Sequence, residues 1–372
     1  YIRSVPAMPW NFEDVRIQLA DVDGDFMDEI MVTARSEMMG RSSSFGTVWV
    51  FDDPAAGATE LFEFGRADGH IALQVLPLQL DGARGKELVV ALSGDTTKAG
   101  RCAVRLFDFD AELRVFEQIH SWRYLEISTN YQSSKVIAGD FDDDGREDLA
   151  YVGTRNVGAQ RRVDISLHEF DPIAADWSEY AQTSLIDAGG PAGFGYGDYA
   201  ATTLRHALLP DELAIARFGG TEYFFNQLRY DRSGERWDSE SLLIDRVAGD
   251  QTVSLCASDT DADGREAAQV ALASYSGGGR LDMGVVGRDE QTSDLRLTWQ
   301  PAIGLGGGGA SSRPRLPILA SGDFDADGLA VEFTGNSDLR LADPIPLVLL
   351  SAAPTQAGIS QNYDNTESAY SS

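Results

Sequence analysis

Four segments of the chain repeat one pattern, and their spacing limits the possible folds more than any other feature. ADVDGDFMDEIMV (20–32), GDFDDDGREDLAYVG (139–153), SDTDADGREAAQV (258–270) and GDFDADGLAVEFTG (322–335) each pass from alternating acids into a mostly apolar stretch. Their first acids are Asp21, Asp140, Asp259 and Asp323, giving gaps of 119, 119 and 64 residues. Two worn copies fill the halves. LQLDGARGKELVVAL (78–92) keeps Asp81, and HALLPDELAIARFGG (206–220) keeps the apolar stretch without the acidic loop. The unit is therefore about 60 residues long and occurs six times, a period typical of stacked supersecondary repeats.

A second marker runs in the same phase. After each of the first five loops comes an alternating run ending in an acid: TVWVFDD, AVRLFDFD, DISLHEFD, FNQLRYD and MGVVGRD. A further alternating run then carries Trp122, Trp177, Trp237 and Trp299 in four units, with Phe62 and Phe64 in that place in the first. Alternation with turn residues between runs predicts four short strands per unit, and no segment reads as a capped amphipathic helix. Four strands per repeat predict the blade of a β-propeller, because a lone blade leaves both faces wet and must stack to bury them. The expected fold is all-β: a propeller of six four-stranded blades, seven being the alternative, forming one domain over residues 1–352. The sixth unit has a third strand near IPLVLLSA (345–352) and no fourth. Residues 1–10, YIRSVPAMPW, are expected to supply it, with Trp10 in the recurring aromatic place, so that N- and C-terminal strands share one blade. Residues 353–372 are polar and poor in aliphatic residues, and read as a tail or linker.

Composition fits this reading. Apolar residues make up 43% of the 372, enough for a sizeable core, and no apolar run reaches the roughly 18 residues that a membrane helix needs. Residues 1–20 lack the blocks of a signal peptide, which leaves a processed form or a fragment as the two readings of that end. Fifty-nine acids against 30 bases give a formal charge of −29, which disfavours nucleic acid and anionic membranes and favours cations. Cys102 and Cys256 fall in different units and read as small buried apolar residues rather than a disulfide framework.

The acids explain themselves best as ligands. Carboxylates at loop positions 1, 3 and 5, a backbone carbonyl at 7 and an acid at 9 can bring hard oxygen donors onto one ion, and six to eight such donors suit Ca²⁺. Zn²⁺ would favour His or Cys, which these loops lack. An EF-hand is excluded: position 12 is Val32, Tyr151, Val270 or Thr334 rather than glutamate, and lies in a predicted strand. Glycine at position 6 (Gly145, Gly264, Gly328) allows the sharp bend.

Such DxDxDGxxD loops between strands, recurring every 60 residues or so, resemble the FG-GAP (VCBS) repeats of integrin α-subunit propellers over about residues 12–352. The fragments EFGR (63–66) and RFGG (217–220) are similar to the family's Phe-Gly signature. Integrin-type propellers have seven blades, hence that alternative. The resemblance implies calcium bound in hairpin loops and an extracellular recognition role. Matched residue by residue, it implies Asp21, Asp23, Asp25, the Met27 carbonyl and Glu29 in the first loop. In the next full copy it implies Asp140, Asp142, Asp144, the Arg146 carbonyl and Asp148. Two incomplete copies offer Asp259, Asp261, Asp263 and the Arg265 carbonyl, and Asp323, Asp325, Asp327 and the Leu329 carbonyl. In these Ala267 and Val331 replace the last acid, so weaker binding is expected.

Other features carry less. GLGGGGASSRPRLP (304–317) lacks the Gly-Lys-Ser/Thr end of a phosphate loop and reads as a connection between units. SGGGR (276–280) reads as a turn, and DAGGPAGFGYGDYA (187–200) as a long loop. His70, His120, His168 and His206 have neither metal nor triad spacing. The functional expectation is a calcium-stabilised, non-enzymatic recognition or scaffold domain of a larger secreted or cell-surface protein. Its partners would be a protein or glycan at one face and further domains of the same polypeptide. A lectin is the alternative, and a lyase or hydrolase on the propeller axis is a third.

Overall fold

The structure is a computed structural model. It describes residues 10–24, 29–38, 44–51, 60–66, 70–80, 85–95, 102–110, 113, 115–125, 133–158, 160–187, 199–205, 209–218, 222–246, 251–258, 266–274, 280–288, 294–299, 303–304, 317–322, 331–336 and 348–351. These residues form strands and turns, with no helix among them, and so none long and apolar enough to cross a membrane.

Six antiparallel sheets follow one another in chain order. The first holds β1 (Trp10–Ala20), β2 (Glu29–Met38), β3 (Ser44–Phe51) and β4 (Glu60–Arg66). The second holds β5 (His70–Leu78), β6 (Glu87–Asp95), β7 (Cys102–Asp110) and β8 (Val115–Tyr124). The third holds β9 (Ser133–Gly139), β10 (Asp148–Val157), β11 (Gln160–Asp171) and β12 (Asp176–Asp187). The fourth holds β13 (Tyr199–Leu204), β14 (Glu212–Phe218), β15 (Glu222–Asp231) and β16 (Arg236–Arg246). The fifth holds β17 (Gln251–Ser258), β18 (Ala267–Ser274), β19 (Arg280–Arg288) and β20 (Leu295–Trp299), with β21 (Ile303–Gly304) also pairing with β19. The sixth has three strands, β22 (Pro317–Gly322), β23 (Val331–Asn336) and β24 (Val348–Ser351). Strand order within each sheet is the chain order, as expected for hairpin-linked repeats.

The second strand of a unit explains why the segment after each loop is so apolar. Leu88, Val90 and Leu92 of β6 pack into the core shared with the first sheet, while Val89 and Ala91 pack into the core shared with the third. Leu149 and Tyr151 of β10 face the second sheet, and Ala150 and Val152 face the fourth. In β14, Leu213 and Ile215 turn one way and Ala214 and Ala216 the other. Strand alternation sends neighbours to opposite faces, so a strand covered on both sides reads as an unbroken apolar run. Burying each such side chain stabilises the fold by about 1.5–3 kcal/mol.

Consecutive sheets stack through these cores, with a first strand at every junction: β5 lies against β2 and β3, β9 against β5 and β6, β13 against β9, β17 against β13 and β14, and β22 against β17 and β18. The recurring aromatics all fall in fourth strands. Trp177 is 1% exposed against Phe170, whereas Trp299 is 39% exposed. In the second, third and fourth sheets the acid that closes the third strand caps the turn that follows it. Asp171 Oδ1 accepts the amides of Ile173 and Ala174 at 2.8 and 3.1 Å, Asp231 Oδ1 accepts Gly234 at 3.1 Å, and Asp110 Oδ1 accepts Leu113 at 2.9 Å. Such local bonds are the reason Asp favours turns. Cys102 and Cys256 are buried in separate sheets and are not joined by a disulfide.

Two sequence readings need correcting. Trp10 opens β1 opposite Met38, so it belongs to the first strand of the first sheet and not to a fourth strand of the sixth; residues 1–9 lie outside the described residues. In the worn second unit Leu78 pairs with Glu87, as Ala20 pairs with Glu29 and Gly139 with Asp148. Loop position 1 is therefore Gln79 there, and Asp81, two residues on, lies outside the described residues. The tail 353–372 also lies outside them, as do 305–316 and 275–279, which connect β21 to β22 and β18 to β19.

Candidate metal centre

Every loop joins the first and second strands of its sheet in the chain. In the third sheet, carboxylate oxygens of Asp140, Asp142 and Asp144 lie within 4.8 Å of one another. In the first, oxygens of Asp21, Asp23 and Glu29 do the same. No comparable group of described residues occurs in the second and fourth loops, in keeping with their eroded sequences.

The third loop is shaped by its own backbone. Asp140 Oδ1 accepts the Asp144 amide at 3.1 Å, and Oδ2 accepts the Gly145 amide at 3.0 Å. Asp142 Oδ1 also accepts the Asp144 amide, at 3.1 Å. Asp143 and Gly145 adopt φ of 63° and 85°; glycine takes such a conformation at no steric cost, and aspartate is among the few other residues that visit it. In the first loop the Gly24 amide donates to Asp21 Oδ1 at 2.7 Å, and the Val22 amide donates to Glu29 Oε2 at 2.7 Å.

The position-9 acids divide into two behaviours. Glu29 is long enough to join its cluster while capping the loop. Asp148, 3% exposed, stands outside the group of three and accepts the Tyr180 hydroxyl at 2.6 Å. Burial pushes its carboxyl up to about 8, the bond from Tyr180 opposes this, and the charges of Asp144 and Asp140 add to it. Burial also raises Asp140, against the bonds from Gly145 and Asp144. The worn units keep this acid too. Glu87 Oε2 accepts the Leu80 amide at 3.0 Å, and Glu212 bonds the Gln227 side chain. Where no carboxylate cluster accompanies it, the acid closes the loop or braces the sheet, and its survival there is structural.

The residue just before each second strand performs a task the sequence reading missed. Gln79 donates its amide to Glu147 Oε2 at 2.7 Å, while the Glu147 amide donates to the Gln79 carbonyl at 2.9 Å. Asp140 and Asp211 repeat this at 2.9 and 2.8 Å, and Arg205 and Glu266 at 2.7 and 3.1 Å. Lys86 makes only a backbone version, to the Val22 carbonyl at 3.4 Å. Among the described residues, each of the first four loops is thus clasped by the next unit along. For the third loop this fixes position 1: Asp140 is held through its backbone by Asp211, which leaves its carboxylate to its own loop. The signal was present in the paired acids Glu147-Asp148 and Asp211-Glu212, where one acid serves its own unit and its neighbour serves the preceding one. Gly139 belongs to the same contact. A Cβ there would stand 2.8 Å from Thr203 Cγ2 and 3.0 Å from Asp211 Oδ2.

Two guanidinium groups neutralise part of the third loop. Arg146 Nε and Nη2 donate to Asp144 Oδ2 at 3.1 and 2.5 Å. Arg232, from the β15–β16 turn of the next sheet, pairs with Asp142. Two of the histidines stand in strands away from the loops: His168 is buried against Ser166, with Nε2 2.8 Å from the hydroxyl, and His120 Nε2 lies 3.5 Å from Asp176.

These residues suit Ca²⁺. Oxygen donors from Asp140, Asp142 and Asp144 already converge, the donors are hard and charged, and the bend at Gly145 is made. Asp21, Asp23 and Glu29 offer the same chemistry. Asp25 and Met27 lie outside the described residues, as do Asp259, Asp261, Asp263 and Arg265, and Asp323, Asp325, Asp327 and Leu329.

No family model matches the chain, and no curated relative does. Among solved structures it is similar to Sqt1 of Chaetomium thermophilum, with a TM-score of 0.43 and 13% identity over 91% of this chain and 70% of that one. It is also similar to a mutant of the NanB sialidase from Streptococcus pneumoniae, with a TM-score of 0.43 and 10% identity over 87% of this chain and 65% of that one. At these scores neither likeness bears on activity, and the architecture rests on the strand ladders.

Proposed function

We propose that the chain is a calcium-binding β-propeller of the FG-GAP (VCBS) type, closed from six blades, that serves as a non-enzymatic recognition or scaffold domain of a larger secreted or cell-surface protein. The observation that carries this reading is the approach of three carboxylates to within 4.8 Å in each of two loops that occupy the same place in their sheets. In a protein with a formal charge of −29, such clusters gain most from a divalent ion. When bound, Ca²⁺ supplies positive charge and a coordination shell. Asp140, Asp142, Asp144 and the Arg146 carbonyl would hold it in the third loop, and Asp21, Asp23 and Glu29 in the first. Millimolar extracellular calcium suits loops of modest affinity.

Closure of the ring is the finer part of the proposal. Asp28 immediately precedes β2, the step that Glu147, Asp211 and Glu266 hold in their units, and Asp323 holds position 1 of the sixth loop. A closed ring would use that pair for the last clasp. Thermal unfolding with and without calcium tests the metal reading. At one hundred times the dissociation constant, each site adds about 2.7 kcal/mol of stability, so an unchanged midpoint on chelation would count against it.

A further inference from the structure

The third loop is gripped by a cation from outside its own sheet. Arg232 stands at the first step of the β15–β16 turn, whose shape is fixed by Asp231: its Oδ1 accepts the Ser233 hydroxyl at 2.7 Å and the Gly234 amide at 3.1 Å. From there the Arg232 side chain crosses to the third sheet. Nη1 pairs with Asp142 Oδ2, Nη2 donates to Glu169 Oε2 at 3.0 Å, and the guanidinium lies 5.2 Å over the Tyr180 ring. Tyr180 in turn donates to Asp148. The Asp142 side chain is 0% exposed, while that of Arg232 is 45% exposed. A buried ligand carboxylate is therefore capped by a half-exposed, tethered guanidinium.

We propose that Arg232 competes with a divalent ion for Asp142, so that metal in the third loop and docking of the β15–β16 turn onto that carboxylate exclude each other. The inference rests on the calcium reading above and deepens it. Asp142 is the middle member of the converging group, and an ion drawing on its oxygens meets a positive charge already seated there. Like charges at this range repel strongly in a partly desolvated site. Arg232 has somewhere to go: Glu169 and the Tyr180 face hold it without Asp142, and its exposure leaves room to swing outward. The sequence marks the arrangement as particular to this loop. At the matching step after the third-strand acid, the other four of the first five units carry Pro54, Ala111, Pro172 and Glu290, none of them cationic. The first loop, followed by the unit that has Ala111, has no such competitor in the sequence.

Calcium titration calorimetry on the whole chain and on Arg232→Met tests this, with the third-loop transition identified as the one that Asp142→Asn abolishes. The methionine keeps the apolar stem and removes the charge. Third-loop affinity is expected to rise about two- to fivefold, the range of a partly exposed ion pair, with the first-loop transition unmoved and Arg232→Lys shifting less. Melting closes the cycle. Without calcium Arg232→Met should melt below the wild type, and saturating calcium should remove the difference. Equal or weaker third-loop binding in Arg232→Met would show that Arg232 only positions Asp142, and would overturn competition while leaving the calcium reading intact. Absence of any calcium transition in the wild type would overturn both.

Discussion

The buried carboxyl of Asp148 makes the metal-free protein respond to pH in an unusual direction. Its folded-state value of about 8 stands above the ordinary 3.8 because the group is buried beside other acids. Between those values the folded protein holds a proton that the unfolded chain releases, so this contribution is full below about pH 4 and is lost as pH rises towards 8. One such group changes stability by about 1.4 kcal/mol per pH unit within that window. From pH 5.5 to 7.5 the expected loss is therefore about 3 kcal/mol, or several degrees in melting temperature. Asp140 and Glu179, both raised by burial, act in the same direction. The assay is thermal unfolding of calcium-stripped protein at half-unit steps across that window, with Asp148→Asn beside it. Asparagine can still accept the Tyr180 hydroxyl but cannot titrate, so its curve should be flatter. Saturating calcium should reverse the trend if the ion draws on ionised loop carboxylates, its benefit growing with pH. A wild-type midpoint that stays level or rises with pH without calcium, or an Asp148→Asn slope equal to the wild type, would refute the reasoning.

The clasps make a second prediction: Asp211→Ala and Glu147→Ala each leave a loop amide without its carboxylate and should cost about 1–3 kcal/mol in chemical denaturation. Glu117→Ala, on the exposed β8 surface, should cost almost nothing. Gly139→Ala forces a methyl against Thr203 Cγ2 and should destabilise by about 1–3 kcal/mol; Thr203→Ser, which removes that methyl, should recover part of the loss in the double variant. Leu149→Ala opens a cavity in the core between the second and third sheets and should cost about 2–5 kcal/mol by the same measurement.

The sequence carries the sheets more openly than the site. Two-sided burial of β6, β10 and β14 writes itself as unbroken apolar runs, and the fourth-strand aromatics keep phase with the loops, so unit length, strand number and loop position are legible. Strand pairing within a worn unit is not: only the Leu78–Glu87 ladder reveals that Gln79 has taken the place of Asp21 and Asp140. The ligand pattern is legible where Asp recurs every second residue, but the division of labour between Glu147 and Asp148 depends on which face each side chain takes and on a loop 68 residues away. Arg232 lies 90 residues from Asp142, and nothing local to either position announces their meeting. Contacts between units are long-range, and a repeat pattern describes what units share rather than where one reaches into the next.

Calcium itself can be seen. Anomalous difference maps from crystals grown with millimolar calcium should show peaks among Asp140, Asp142 and Asp144 and among Asp21, Asp23 and Glu29, with the Arg232 guanidinium withdrawn from Asp142 in the third loop. Maps without density at those oxygens, from crystals saturated with the ion, would contradict the account.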